Sequence, residues 1–146
     1  EHGQFPKLDL RPSPNLPNMA SVYLYPSLCL FEGTVVSVGR GTEKPFQCIG
    51  YPGNPVGDHR FTPRAMPGAK DPPHKGRECQ GLDLEAYGGF QSRMEKRINL
   101  QWLVGLYAEA PEKSNFFTPF FDKLAGSKDL RERIQRGESE KAIRAS

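Results

Sequence analysis

The chain has 146 residues, a length that suits one domain with its own hydrophobic core. Its 20 basic and 17 acidic residues leave a formal charge of +3, whereas a nucleic-acid-binding surface normally shows a dense basic stripe. Hydrophobic residues make up 36% of the chain and none of its stretches approaches the roughly 20 apolar residues of a membrane-spanning helix. We therefore expect neither nucleic acid as a partner nor a membrane span.

The N-terminal residues form an extended segment in this prediction. Four prolines between residues 5 and 18 fix their own φ and push the preceding residues into extended backbone. We therefore predict a proline-rich extended segment over residues 1–18, followed by a short helix over 19–25 that Pro26 stops. The chain begins at Glu1 rather than at Met, which indicates a processed start or a piece of a longer protein.

Short strands are predicted next. Residues 28–38 combine apolar positions with a turn, and the best strand candidates are residues 46–51 and 78–86. Residues 52–77 are rich in Pro, Gly and charge, so we predict a long loop there, and long loops often carry function.

The last third of the chain carries helical patterns. Apolar residues at three- and four-residue steps predict a first helix with one apolar face. A second helix is expected to begin at Thr118-Pro119, to turn Phe120, Phe121 and Leu124 inward, and to end at Gly126. The apolar positions of the first helix are Met94, Ile98, Trp102, Leu103, Leu106 and Tyr107.

Two further helices complete the prediction. One begins at Ser127 and ends at Gly137, and the other runs from residue 138 to residue 144. The whole pattern predicts an α+β fold, with a small mixed sheet from residues 28–90 packed by the helices of residues 91–146. Residues 19–146 are expected to form a single domain.

The cysteine and histidine residues do not indicate a metal site. Structural zinc sites bring their ligands in close pairs, and here no Cys-x-x-Cys pair exists. We therefore expect no metal and no cofactor, with buried, unreactive thiols as the simplest role of the cysteines. The residues concerned are Cys29, Cys48 and Cys79, and His2, His59 and His74.

The glycine-rich segment Gly39-Arg40-Gly41-Thr42 is the first candidate for chemistry. It matches neither the phosphate-binding Walker loop nor the dinucleotide-binding glycine fingerprint. Its glycines give the backbone freedom around one arginine, and a guanidinium binds a carboxylate through two parallel hydrogen bonds. This pattern is compatible with an anion-binding loop and does not prove one.

Glu32 lies eight residues before Arg40 in an otherwise apolar context. A carboxylate in such a place needs a partner. On spacing alone, a buried ion pair between Glu32 and Arg40 that pins a turn is favoured over a ligand-binding role. Asn15 is similarly ambiguous, since it suits a turn or an amide directed at a polar ligand.

A series of motifs resembles one bacterial family along almost the whole chain. The family is that of the NamZ-type (YbbC-like) exo-β-N-acetylmuramidases, formerly a domain of unknown function, and the match is to its C-terminal domain. The motifs are Ser13-Pro14-Asn15-Leu16-Pro17, Leu30-Phe31-Glu32-Gly33-Thr34, Ser37-Val38-Gly39-Arg40-Gly41-Thr42, Pro45-Phe46, Cys79-Gln80-Gly81-Leu82-Asp83-Leu84 and Asn99-Leu100-Gln101-Trp102-Leu103.

The resemblance implies a part in cell-wall hydrolysis. Members of the family resemble two-domain proteins, in which an N-terminal Rossmann-like domain supplies a catalytic glutamate and a C-terminal domain closes over the cleft. The reaction is hydrolysis of terminal, non-reducing N-acetylmuramic acid from peptidoglycan fragments. It follows that this chain alone should be inactive and that its partners are the N-terminal domain and peptidoglycan. The resemblance also implies a periplasmic or secreted location.

The resemblance also implies roles for single residues. Arg40 is expected to contact the lactyl carboxylate of muramic acid or to orient Glu32. Glu32 is the candidate for a second carboxyl group at the scissile bond, as a stabiliser or base. Asn15, Gly39, Gly41 and Thr42 are the other candidate substrate-binding residues. The alternative is a non-catalytic carbohydrate-binding or structural interface module, in which these residues only hold an interface.

Overall fold

The computed structural model describes residues 16–86 and 98–145 and confirms an α+β fold. Helices and strands alternate little: the strands lie in the first half of the chain and most helices in the second. In chain order the elements are α1 (Met19–Leu28), a first 3₁₀ turn (Cys29–Gly33), β1 (Cys48–Tyr51), β2 (His59–Phe61), β3 (Cys79–Asp83), α2 (Gln101–Ala108), a second 3₁₀ turn (Lys113–Asn115), α3 (Phe120–Ala125), α4 (Asp129–Gln135) and α5 (Glu140–Arg144).

The sheet has three strands in the described part of the chain, in the order β1-β3-β2. β3 pairs antiparallel with both neighbours, with Gly50 opposite Gly81 on one side and Arg60 opposite Gln80 on the other. The sheet is therefore antiparallel rather than mixed as predicted. Parallel neighbours need a crossover, usually helical, whereas the segments that join these strands are loops without a helix.

The strand predictions over residues 46–51 and 78–86 are confirmed, since they contain β1 and β3. The predicted loop over residues 52–77 was wrong in one respect, because it contains β2. That strand has three residues, none of them fully buried, so it leaves no alternation of apolar and polar positions long enough to detect.

α1 begins at a capping box and continues through a proline. Asn18 Oδ1 accepts a hydrogen bond from Ser21 N at 3.0 Å, and Ser21 Oγ accepts one from Asn18 N at 3.3 Å. The prediction that Pro26 stops the helix was wrong. Leu24 and Leu28 are both completely buried, so packing holds the last turn although proline brings no backbone donor.

Within residues 98–145 each of the four predicted C-terminal helices is present, and they differ from the prediction in detail. α2 begins at Gln101, and Ile98, which was predicted on its apolar face, precedes it and is 43% exposed. Met94 lies outside the described residues. In α3 only Phe121 points inward, whereas Phe120 and Leu124 are exposed, because a helix of six residues presents one narrow stripe to the core.

One hydrophobic core contains side chains of the sheet and of the helices. Side chains from α1, the first 3₁₀ turn, β1, α2, α3, α4 and α5 contribute to it, and none of the helices in the described ranges has the length and apolar character that crossing a membrane requires. Aromatic rings supply a dense part of the core, with centroids 4.7–5.4 Å apart. These rings belong to Tyr107, Phe116, Phe117 and Phe121.

Gly33 makes the tightest backbone contact between the two halves. A Cβ atom there would lie 2.4 Å from Cα of Phe121, which is backbone and cannot give way as a side chain would. The amide of Thr118 donates to the carbonyl of Gly33 at 2.8 Å across the same contact. The first 3₁₀ turn and the start of α3 can therefore meet only if residue 33 has no side chain.

We predict that Gly33→Ala destabilises the fold by about 1–3 kcal/mol, because the added methyl group forces the turn and α3 apart. Gly105→Ala is the matched control: it adds the same methyl group inside α2, where nothing lies within 4 Å. That control should gain about 0.5–1 kcal/mol, since alanine favours a helix interior over glycine. Urea denaturation measures both, and equal midpoints for the two variants would contradict the prediction.

Candidate functional site

The glycines of the Gly39–Thr42 loop are required by the backbone. Gly39 has a φ of 87° and Gly41 a φ of 82°, in the left-handed region that side chains disfavour. There is also no space for a side chain at either position. A Cβ on Gly39 would lie 2.5 Å from the carbonyl oxygen of Lys44, and a Cβ on Gly41 would lie 2.8 Å from the carbonyl oxygen of Arg64. These two glycines fix the course of the loop and thereby the direction of the arginine between them.

Arg40 and Glu32 form the ion pair that their spacing favoured, but the pair lies at the surface and is partly exposed rather than buried as predicted. Nε of Arg40 donates to Oε2 of Glu32, and the side chains are 28% and 26% exposed. The guanidinium carbon also lies 5.2 Å from the ring centroid of Phe46, a cation–π distance. The terminal nitrogens of Arg40 have no hydrogen-bond partner among the described residues, so they remain available to a carboxylate.

The hydroxyl of Thr42 forms hydrogen bonds to the backbone of its own loop. Oγ1 donates to the carbonyl of Gly39 at 2.7 Å and accepts from the amide of Lys44 at 3.0 Å. These bonds close the turn that carries Arg40. The geometry gives Thr42 a role in holding the loop, and a substrate contact by Thr42 stays a prediction. Asn15 lies outside the described residues, so its predicted role stays a prediction as well.

A cavity of about 540 Å³ lies beside this segment and shares no lining residue with the ion pair. It lies among β1, the loop that follows β2, and the residues that join α2 to α3. The polar residues that line it are Tyr51, His74, Arg77, Glu112 and Asn115. The sequence analysis predicted a functional loop over residues 52–77, which holds His74 and Arg77, but not this site, because its polar residues come from three separate segments whose meeting depends on the tertiary fold.

Two residues other than glycine have a positive φ in the described part of the chain, and each lies at one of these two places. Phe46, with a φ of 58°, lies under the guanidinium of Arg40. His74, with a φ of 60°, lines the cavity. Such backbone strain clusters at functional sites, which supports both places as candidate sites.

Comparison with known proteins then decides the family. Residues 23–146 match the family model described as "Exo-beta-N-acetylmuramidase NamZ, C-terminal". The chain belongs to this family. The resemblance that the sequence motifs carry is thereby confirmed.

A curated relative and a solved structure agree with this assignment. The chain is 35% identical to the peptidoglycan β-N-acetylmuramidase NamZ of Bacillus subtilis, over 88% of this chain and 34% of that protein. It is 44% identical to a DUF1343 family protein from Bacteroides fragilis, whose crystal structure it matches with a TM-score of 0.89 over 99% of this chain and 40% of the other. The chain thus spans about a third of the length of the curated relative.

The cysteines of this NamZ-family chain lie in two kinds of surroundings. Cys48 and Cys79 are buried, and Cys29 is half-buried. Burial raises the pKa of Cys48 to about 12, and Cys48 lies directly beneath the loop, with its Sγ 3.7 Å from the carbonyl of Lys44. Burial also raises the pKa of Cys79 to about 11. These thiols pack as small apolar groups and are poor nucleophiles at neutral pH.

We predict that Cys48 makes the fold sensitive to alkali. Its pKa in the folded state is raised above the ordinary value of 9.0, so its contribution to stability is complete below pH 9 and is lost as the pH rises towards 12. In urea denaturation, the free energy of unfolding should fall more between pH 8 and pH 11 in the wild type than in Cys48→Ala, by up to about 1.4 kcal/mol per pH unit above pH 9. Equal losses in both proteins would contradict the prediction, because they would mean that this thiol ionises as readily in the folded as in the unfolded state.

Proposed function

We propose that this chain is the cleft-forming C-terminal domain of a peptidoglycan-processing exo-β-N-acetylmuramidase, which hydrolyses terminal, non-reducing N-acetylmuramic acid. The observation that supports it is the Arg40–Glu32 pair, held at the surface by two obligatory glycines in a member of this family. Residues 1–18 would lead into a single domain over residues 19–146. Peptidoglycan as the substrate places the protein in the periplasm or outside the cell.

Arg40 is the proposed contact for the substrate carboxylate. Muramic acid carries a lactyl carboxylate, and the terminal nitrogens of Arg40 have free donors on the side that Glu32 does not occupy. Phe46 supports the guanidinium from one face, so the side chain reaches a ligand with little loss of conformational freedom. Glu32 orients the guanidinium through its hydrogen bond to Nε.

Glu32 is the proposed second carboxyl group of the cleft. Glycosidases commonly place two carboxyl groups across the scissile bond, one of which protonates the leaving group. Glu32 accepts a charge-assisted hydrogen bond from Arg40 at Oε2. It is therefore suited to stabilise positive charge or to activate water, and the acid would come from the Rossmann-like N-terminal domain.

We predict that Arg40→Ala lowers kcat/KM about 10- to 100-fold in a polypeptide that carries both domains, because a charge-assisted contact to the substrate is lost. The assay uses a chromogenic N-acetylmuramic acid glycoside. Arg60→Ala is the matched control, since Arg60 also pairs with a glutamate, Glu78, but both side chains are about 60% exposed and lie away from the loop. Unchanged kinetics in Arg40→Ala would contradict the proposal.

A second prediction concerns the chain on its own. The 146-residue chain should release no chromophore from the same glycoside, while addition of the N-terminal domain in one polypeptide restores turnover. The reason is that the proposed catalytic acid lies in the part of the relatives that this chain does not cover, about two thirds of the curated one. Turnover by the isolated chain, with loss of that turnover in Glu32→Gln, would place the complete machinery here instead.

The second candidate function is a non-catalytic carbohydrate-binding or structural interface module. It is favoured by one observation: Glu32 pairs with Arg40, and both hydrogen bonds of Thr42 stay inside the loop. The two functions differ in the Arg40→Ala experiment. In an interface module any loss of activity follows a lower melting temperature of the two-domain protein, whereas a substrate contact lowers kcat/KM without a comparable loss of stability.

A further inference from the structure

The cavity beside Val35 combines an unpaired cation with a buried polar group. Arg77 lines it, and its guanidinium has neither a hydrogen bond nor an ion pair with any described residue. Glu78, the next residue, already forms an ion pair with Arg60, whose Nη1 lies 3.2 Å from Oε1 of Glu78. An arginine without a carboxylate partner at the edge of a cavity is ready to bind an anion, because its donors form a fixed fork that fits a carboxylate.

Tyr51 adds an unsatisfied hydroxyl to the same wall. The residue is 7% exposed, and its hydroxyl is buried without a hydrogen-bond partner in the described part of the chain. Burial also raises the pKa of this phenol, so the hydroxyl stays protonated and can donate. Nearly all buried polar groups in proteins have partners, so the unsatisfied hydroxyl of a residue that lines the cavity is a candidate contact for a ligand.

The other polar groups of the cavity suit a ligand that has hydrogen-bonding groups in addition to a negative charge. The side chains of Glu112 and Asn115 have no partners among the residues described, so a carboxylate acceptor and an amide face the same space as Arg77. Apolar atoms of Val35, Pro111 and Phe116 complete the lining. A volume of about 540 Å³ lies within the range of small-molecule sites.

His74 holds this arrangement in place. Its Nε2 lies 2.6 Å from the carbonyl oxygen of Val35, which can only accept, so this nitrogen carries the proton. The bond ties the loop after β2 to the segment between Glu32 and Arg40 and keeps His74 at a φ of 60°. The strained backbone therefore sets the position of Arg77, three residues later, whose amide donates to the carbonyl of His74 at 3.0 Å.

We propose that this cavity is a second ligand site, for a small carboxylate that carries an amide or hydroxyl donor beside it. Arg77 binds the carboxylate, Glu112 accepts from the neighbouring N–H or O–H, and Asn115 and Tyr51 complete the contacts. Two classes of molecule carry these groups: an acidic amino sugar, and an acylated peptide with a free carboxyl end. The inference does not require the proposed hydrolytic activity, since it concerns residues apart from Glu32 and Arg40.

The test is a titration of the 146-residue chain by ¹H–¹⁵N NMR with three probes. N-acetylmuramic acid represents the acidic sugar, N-acetyl-alanyl-alanine represents the peptide, and N-acetylglucosamine is a sugar without the carboxylate. We expect one of the two carboxylates to shift the side-chain amide of Asn115 and the backbone amide of Gly53, which also lines the cavity. The probe that does so identifies the source of the ligand. N-acetylglucosamine at the same concentration should leave both resonances in place.

Three variants assign the contacts. Arg77→Gln should raise the Kd about tenfold or more, whereas Arg64→Gln, which neutralises another exposed arginine of the same loop, should not change it. Tyr51→Phe should raise the Kd about fivefold and leave the melting temperature within about 3 °C, because the hydroxyl has no partner in the protein to lose.

The proposal is overturned if neither carboxylate shifts Asn115, or if Arg77→Gln binds as the wild type does. Shifts confined to the Gly39–Thr42 loop, abolished by Arg40→Ala and not by Arg77→Gln, would support the proposed function and reject the second site. Shifts at Asn115 that survive Arg40→Ala support the second site, even if the Arg40 experiment on activity fails. The two proposals can therefore fail separately.

Discussion

The structure depends on the contact between residues 33–35, at the end of the first 3₁₀ turn, and residues 116–121, which lead into α3. Gly33 lies against the backbone of Phe121, and the next residues, Thr34 and Val35, pair with Phe117 and Phe116 in the manner of two short strands. Neither partner belongs to the three-stranded sheet. This contact joins the first half of the chain to the helical half, and it needs a glycine because no side chain fits between the two backbones.

Both candidate sites follow from this one segment. Glu32 precedes the contact and Arg40 follows it, and the ion pair brings the two ends together across eight residues. Between them, the amide of Val35 donates to the carbonyl of Phe116 and its own carbonyl accepts from His74. The same short stretch therefore fixes the proposed substrate arginine at one end and one wall of the cavity in its middle. Rigid backbone at both places is what a preorganised binding surface requires.

The sequence predicted what depends on local chemistry and missed what depends on packing. The helix ends at Gly126 and Gly137 were predicted from the sequence because a left-handed φ angle that favours glycine is a local property. Spacing alone favoured the Glu32–Arg40 pair, which the structure contains. Pro26 inside α1, the three-residue β2 and the exposed Phe120 were not predicted, since each is decided by neighbours distant in sequence. The cavity was missed for the same reason.

The residues that stabilise the fold are buried, whereas the residues proposed to bind ligands are partly or largely exposed. Cys48, Phe116 and Phe121 are fully enclosed, and their substitution acts on folding. Arg40, Arg77, Glu112 and Asn115 are partly or largely exposed, so they add little to the free energy of unfolding. The fold holds both strained positions, since Phe46 is buried in the core and His74 is hydrogen-bonded to the carbonyl of Val35. One strained residue lies against the guanidinium of Arg40 and the other lies three residues before Arg77, so the strain fixes the backbone beside both arginines.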